Sequence, residues 1–82
     1  MKPVKIYTTN YCPFCQRAKA LLGGKGVSFE EIRVDEEKDF DALVAKTGWK
    51  TVPQIFIGDE MIGGFDDLSA LDQSGDLDKK LA

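Results

Sequence analysis

Apolar positions along the chain switch between an alternating period and a helical one, and each switch marks an element. Val4 to Thr8 is rich in Val, Ile, Tyr and Thr, which suit a pleated, half-buried surface, and predicts a strand. Thr9-Asn10-Tyr11 is a short loop. From Pro13 to about Lys25 the period becomes helical. Cys15, Ala18 and Leu22, with Phe14 and Leu21 alongside, form one apolar face. Pro13 suits the first helical position, and Gly23, Gly24 and Gly26 mark the end. Val27 to Val34 alternates again and predicts a second strand. Lys38 to Lys46 carries Phe40, Leu43 and Val44 at helical spacing and stops at Gly48.

Gln54 to Ile57 reads as a third strand. Gly58-Asp59 turns into Glu60 to Ile62, making a hairpin, and Gly63-Gly64 stops the fourth strand. Phe65-Asp66-Asp67 opens a third helix through Leu71. The tail from Asp76 offers Leu77 and Leu81 to one further helical turn. A helix joining the first two strands makes them parallel, with a right-handed crossover. The order strand–helix–strand–helix–strand–strand–helix then predicts an α/β fold, a three-layer arrangement around a mixed four-stranded sheet. No repeat, linker or low-complexity tract interrupts it, so residues 1–82 are expected to form one domain.

Composition adds limits. The net charge of −3 argues against nucleic acid, which rewards a basic surface. No apolar run approaches the ~20 residues of a membrane span. The opening Met-Lys-Pro-Val-Lys-Ile-Tyr lacks the apolar stretch of a secretory signal, so a cytoplasmic address is expected. Residues 1–29 hold five cations and no acid, whereas all fourteen acids lie from Glu30 onward. The two cysteines therefore sit in locally electropositive sequence. There is no histidine, which removes the commonest zinc ligand and general base.

Cys12-Pro13-Phe14-Cys15 follows a strand and opens a helix. The i, i+3 spacing puts both sulfurs on one face, close enough for a disulfide. Cys12 is expected to face solvent and Cys15 to be partly covered. The reactive species is the thiolate, and a free cysteine with pKa ~8.5 is only slightly ionised at neutral pH. Lowering that pKa by ~3 units takes ~4 kcal/mol of preferential thiolate stabilisation. The helix dipole supplies ~0.3–1 kcal/mol, or ~2 in favourable geometry. The backbone N–H groups of Phe14 and Cys15 are placed to supply much of the rest, with Lys19 and nearby cations adding a smaller part. A Cys-x-x-Cys can also be half of a zinc site, but there is no second pair. Two inert buried thiols are the other plain reading. The strand–helix setting favours redox chemistry over both.

Two further segments carry candidate binding chemistry. Thr51-Val52-Pro53 precedes a strand. A cis Val52–Pro53 bond would turn the Val52 backbone outward as an edge for a short peptide, although trans is the commoner state of such bonds. Gly63-Gly64-Phe65-Asp66-Asp67 joins a strand to a helix. Its glycines allow close backbone approach, its helix start offers N–H donors to a carboxylate, and Asp66 and Asp67 can pair with an ammonium. The γ-glutamyl end of glutathione carries both groups. Taken alone, a capped helix without a ligand is the commoner reading.

Together these residues resemble the glutaredoxins, in particular the short bacterial dithiol type. The matching stretches are Cys12 to Cys15, Arg17 to Leu22, Thr51 to Ile57 and Ile62 to Leu68. The resemblance covers nearly the whole chain. It implies a thioredoxin fold with sheet order 2-1-3-4, the third strand antiparallel to its neighbours, and a cis Pro53. It implies a glutathione-dependent thiol–disulfide oxidoreductase that reduces protein disulfides and glutathionylated proteins. Cys12 would be the nucleophile and Cys15 the resolving thiol. Glutathione would be a co-substrate held by Pro13, Phe14, Thr51, Val52, Pro53, Gly64, Phe65, Asp66 and Asp67. Electrons would come from NADPH through glutathione reductase, with no NADPH or metal bound here. A monomer is expected.

Thr9, Phe14 and Phe65 depart from residues common in the family, where Lys, Tyr and Cys often stand. The missing lysine leaves one glutathione carboxylate without its usual cation, for which Arg17 or Lys50 is a candidate. Trp49 either borders the site or packs as a loop aromatic, and the second is preferred. Two rival functions are a redoxin fed by thioredoxin reductase and an iron–sulfur carrier in which two protomers each contribute Cys12 beside glutathione.

Overall fold

A computed structural model describes residues 2–10 and 12–82. Tyr11, assigned above to a loop, lies outside the described residues. The elements are β1 (Val4–Thr8), α1 (Pro13–Gly24), β2 (Glu30–Arg33), α2 (Glu37–Thr47), β3 (Gln54–Ile57), β4 (Glu60–Gly63), α3 (Phe65–Ser74) and α4 (Asp76–Leu81). The sheet order is β2-β1-β3-β4. β1 is parallel to β2, and β3 is antiparallel to both β1 and β4.

Alternation along β1 divides the two faces of the sheet. Val4 and Ile6 point into a core with Ala18 and Leu22 of α1, Ile55 and Ile57 of β3, Leu68 of α3, and Leu77 and Leu81 of α4. Tyr7 points to the opposite face and meets Phe56 edge-on, with ring centroids 5.7 Å apart. Leu43 of α2 lines a groove with this pair.

β2 is shorter than the alternation of Val27 to Val34 implied. Among the described residues it is an edge strand paired with the five-residue β1 alone, with Lys5 opposite Glu30 and Thr8 opposite Arg33. Val27 instead closes α1, its N–H bonded to Leu22 O at 3.0 Å. α3 runs three residues past Leu71, and Gly75 separates it from α4 in the left-handed conformation, φ 84°. Lys25 at the end of α1 ties both C-terminal helices, reaching Asp72 at 2.7 Å and Asp78 at 3.2 Å. No helix among the described residues is long and apolar enough to cross a membrane.

Candidate active site

Cys12 is the N-cap of α1. Its backbone is extended, φ −139° and ψ 95°, and its Sγ accepts the Cys15 N–H at 3.0 Å. Sulfur thus takes the place usually held by the oxygen of Ser or Asp at a helix start. Of the two amide donors read from the sequence, the one seen on sulfur is Cys15. Pro13 occupies the first helical position, where its missing N–H costs nothing. Cys12 and Cys15 are joined in a disulfide, with Cα atoms 5.1 Å apart.

Cys15 is fully buried, and Cys12 is only 8% exposed. The expectation of a solvent-facing Cys12 needs correction on this point. Cys12 lies inward at the helix start, and Val52 O lies 3.7 Å from its Sγ. A disulfide sulfur carries no proton, so this is a contact rather than a hydrogen bond.

Val52–Pro53 is cis, as the family resemblance implied. Beyond it runs a groove of about 500 Å³, lined by Phe14, Trp49, Thr51, Val52, Pro53, Gly64, Phe65, Asp66 and Asp67. Except for Pro13, every residue assigned from sequence to the ligand lines this one groove. Pro13 stands beside it, exposed at the start of α1. Trp49 also lines the groove rather than merely packing in its loop. Its position directly before Lys50-Thr51-Val52 was the available signal.

The far wall is the start of α3. Asp67 turns back to accept the Gly64 N–H at 3.1 Å, which caps the helix. Gly63 has φ 119°, and a Cβ there would collide with the Asp67 carboxylate. Asp66 is exposed and makes no ion pair or side-chain hydrogen bond among the described residues.

Phe14 was placed on the apolar face of α1 but is half exposed. It lies at the first turn, outside the reach of the sheet. Its ring centroid is 6.3 Å from that of Phe65, and the Arg17 guanidinium sits 5.5 Å over it. Lys19, expected to assist the thiolate, is instead paired with Glu31 at 3.0 Å. Thr8 donates to the same Glu31 oxygen at 2.7 Å. The Thr8 hydroxyl, and then Lys19, hold the Glu31 carboxyl below its ordinary value against the opposing effect of burial.

A positioning residue escaped the sequence reading. Gln54, fully buried, donates from Nε2 to Trp49 O at 2.8 Å and Thr51 O at 3.2 Å. Its Oε1 lies 2.9 Å from the donating Thr47 hydroxyl. One amide therefore pins the loop that presents Thr51 and Val52. Its position at the head of β3 gave no sign of this, because the partners are backbone carbonyls.

Comparison with known proteins follows the same lines. The family model described as Glutaredoxin matches residues 4–62. A "Glutaredoxin" of Pseudomonas aeruginosa is 53% identical, the match covering 100% of this chain and 99% of that protein. "Glutaredoxin 3" of Escherichia coli is 51% identical, covering 99% of each. Among solved structures, a buckwheat glutaredoxin–glutathione complex has a TM-score of 0.88 at 34% identity, covering 98% of this chain and 76% of that one. The glutaredoxin of Brucella melitensis has a TM-score of 0.87 at 46% identity, covering 99% and 89%. With a cysteine pair opening α1 beside a cis-proline groove, and with these matches along its length, the chain belongs to the glutaredoxin family and is a thiol–disulfide oxidoreductase.

Proposed function

We propose that residues 1–82 act as one glutaredoxin domain that reduces protein disulfides and glutathione mixed disulfides with electrons from glutathione. The observation that carries this is the Cys15 N–H on Cys12 Sγ beside the peptide-sized groove. In the reduced protein the same amide stabilises the Cys12 thiolate. That thiolate attacks the glutathionyl sulfur of a mixed disulfide. The target protein leaves as a thiolate and takes up a proton, and Cys12 becomes glutathionylated. A second glutathione thiolate then attacks the glutathionyl sulfur, which yields glutathione disulfide and frees Cys12. Alternatively Cys15 attacks Cys12 and expels glutathione, giving the disulfide seen here. Burial supports the division of roles. Cys15 has no exposed surface, so an incoming thiolate reaches the pair through Cys12.

The groove fits the ligand chemistry. Val52 offers backbone at one wall, the first turn of α3 offers N–H donors to a carboxylate, and Asp66 offers a counter-charge for an amine. The test is turnover of a glutathionylated peptide coupled to glutathione reductase. Cys12→Ser should abolish it, whereas Cys15→Ser should leave it largely intact while removing reduction of protein disulfides. Glutathione-coupled turnover by Cys12→Ser would overturn the proposal. Activity with thioredoxin reductase in place of glutathione would favour the rival redoxin.

A further inference from the structure

The group at the groove least explained by the fold is the indole of Trp49. Its Nε1–H is buried and has no hydrogen-bond partner among the described residues. Buried donors are nearly always paired, so an orphan at a binding groove asks for an acceptor. The backbone of Trp49 is well held. Its carbonyl accepts from Gln54 at 2.8 Å, and its N–H donates to the Thr47 hydroxyl at 3.2 Å. The orphaned atom therefore belongs to an anchored residue.

The direction of the ring is also defined. A Cβ added to Gly64 would lie 3.7 Å from Trp49 Cζ2 and 3.7 Å from Pro53 O. Cζ2 and Nε1 flank the same ring carbon, so they share one edge of the indole. That edge abuts the groove's backbone wall at Gly64, whose other near neighbour is the Pro53 carbonyl. The nearby Asp67 carboxylate is already engaged with the Gly64 N–H. A ligand carboxylate seated over Gly64 and the first turn of α3 is an acceptor of the right charge beside that edge.

We propose that Trp49 is a specificity-determining residue whose Nε1–H, on a small tilt of the ring, donates to the α-carboxylate at the γ-glutamyl end of the ligand. This rests on the glutathione reading above and deepens it. No side-chain hydrogen bond holds the indole against that tilt. The donor selects for the γ-glutamyl end and is indifferent to the glycine end.

The chain has one tryptophan, so it has one indole N–H resonance. In full-length Cys15→Ser protein, converting Cys12 to its mixed disulfide with glutathione should shift that resonance downfield and slow its exchange with solvent. The mixed disulfide with γ-glutamylcysteine should do the same, and that with cysteinylglycine should not. In the otherwise native enzyme, Trp49→Phe keeps most of the ring and removes the donor. It should raise KM for a glutathionylated peptide about ten-fold with kcat unchanged, because a lost hydrogen bond to a charged group weakens binding without touching the sulfur chemistry. An unmoved resonance in the glutathione adduct, an equal shift with cysteinylglycine, or an unaltered KM in Trp49→Phe would each overturn the proposal. The resonance needs no tryptophan variant, so misfolding of Trp49→Phe does not shelter it. If the native enzyme does not turn over glutathionylated peptide at all, the functional reading itself fails.

Discussion

Gly63 and Gln54 show how single residues hold the groove in shape. At Gly63 the backbone requires φ 119°, and the Asp67 carboxylate occupies the space of a side chain. Gly63→Ala should therefore cost about 1–3 kcal/mol from backbone strain alone. The midpoint of urea denaturation measures the loss, and an unchanged midpoint would refute the argument. Gln54→Leu keeps the volume roughly but strands two loop carbonyls, while the Thr47 hydroxyl keeps Leu43 O as its acceptor. About 1–3 kcal/mol per unsatisfied buried group is the expected scale, reduced wherever water enters. It should also raise KM, because Thr51 and Val52 lose their tether. Of these two positions only Gly63 was legible in the sequence, where a Gly-Gly pair before a helix announces unusual backbone. A glutamine that bonds carbonyls several residues away looks like any strand residue until the chain is folded.

Among the helices, α1 differs in what its first turn lacks. α2 carries Glu37 and Asp39 there, α3 carries Asp66 and Asp67, and α4 carries Asp76 and Asp78, whereas α1 has no acid. Acids at a helix start are ordinarily favourable. Beside Cys12 a carboxylate would repel the thiolate and compete for the same amide field. Gln16→Glu places one there, on the exposed side of the first turn. The interaction is about 0.3–1 kcal/mol at such sites. It should raise the thiol pKa of reduced Cys12, because a like charge disfavours the thiolate. Thiolate ultraviolet absorbance against pH gives the value directly, and a lowered pKa would contradict this account of α1. The helix and its apolar stripe were readable from spacing. The exposure of Phe14 was not, because periodicity assigns a face without saying where the opposing sheet ends. The same limit explains β2, whose alternating pattern extends beyond the strand it could pair with.

Across the whole molecule, long-range ion pairs rearrange the charge that the linear sequence displays. Residues 1–29 are free of acids, yet Glu31 crosses over to Lys19 and Thr8, so part of the positive region is neutralised in the fold. Because Glu31 is held below its ordinary value of 4.5, its contribution to stability is complete above that pH. It is lost as pH falls through the lower, folded value. Lys25 behaves in the opposite sense. Asp72, then Asp78, raise it above 10.5, so its contribution is present below that pH and lost as pH rises through the folded value. Denaturation followed from neutral to acid pH should show a shallower loss in Glu31→Gln than in the native protein. Parallel curves would mean that Glu31 titrates alike in the folded and unfolded chain.

What local sequence determined was the set of elements and the chemistry offered at their ends. Side-chain periodicity is a property of neighbouring residues, so β1, α1, α2 and β3 could be placed to within a residue or two. The cysteine pair could be assigned to a helix start, where free amides are a consequence of helix geometry. The parallel β1–β2 pair and the β3–β4 hairpin followed from pattern, whereas sheet order, the antiparallel pairing of β3 with β1 and the cis proline followed only from family likeness. Tertiary structure decided the rest: that Trp49 faces Gly64, that Gln54 ties the Thr51–Val52 loop, and that Cys12 lies under the Val52 carbonyl. These are contacts between segments far apart in sequence or bonds to backbone atoms, and both are invisible to spacing. They depend on how two walls approach across a sheet, which no single segment encodes.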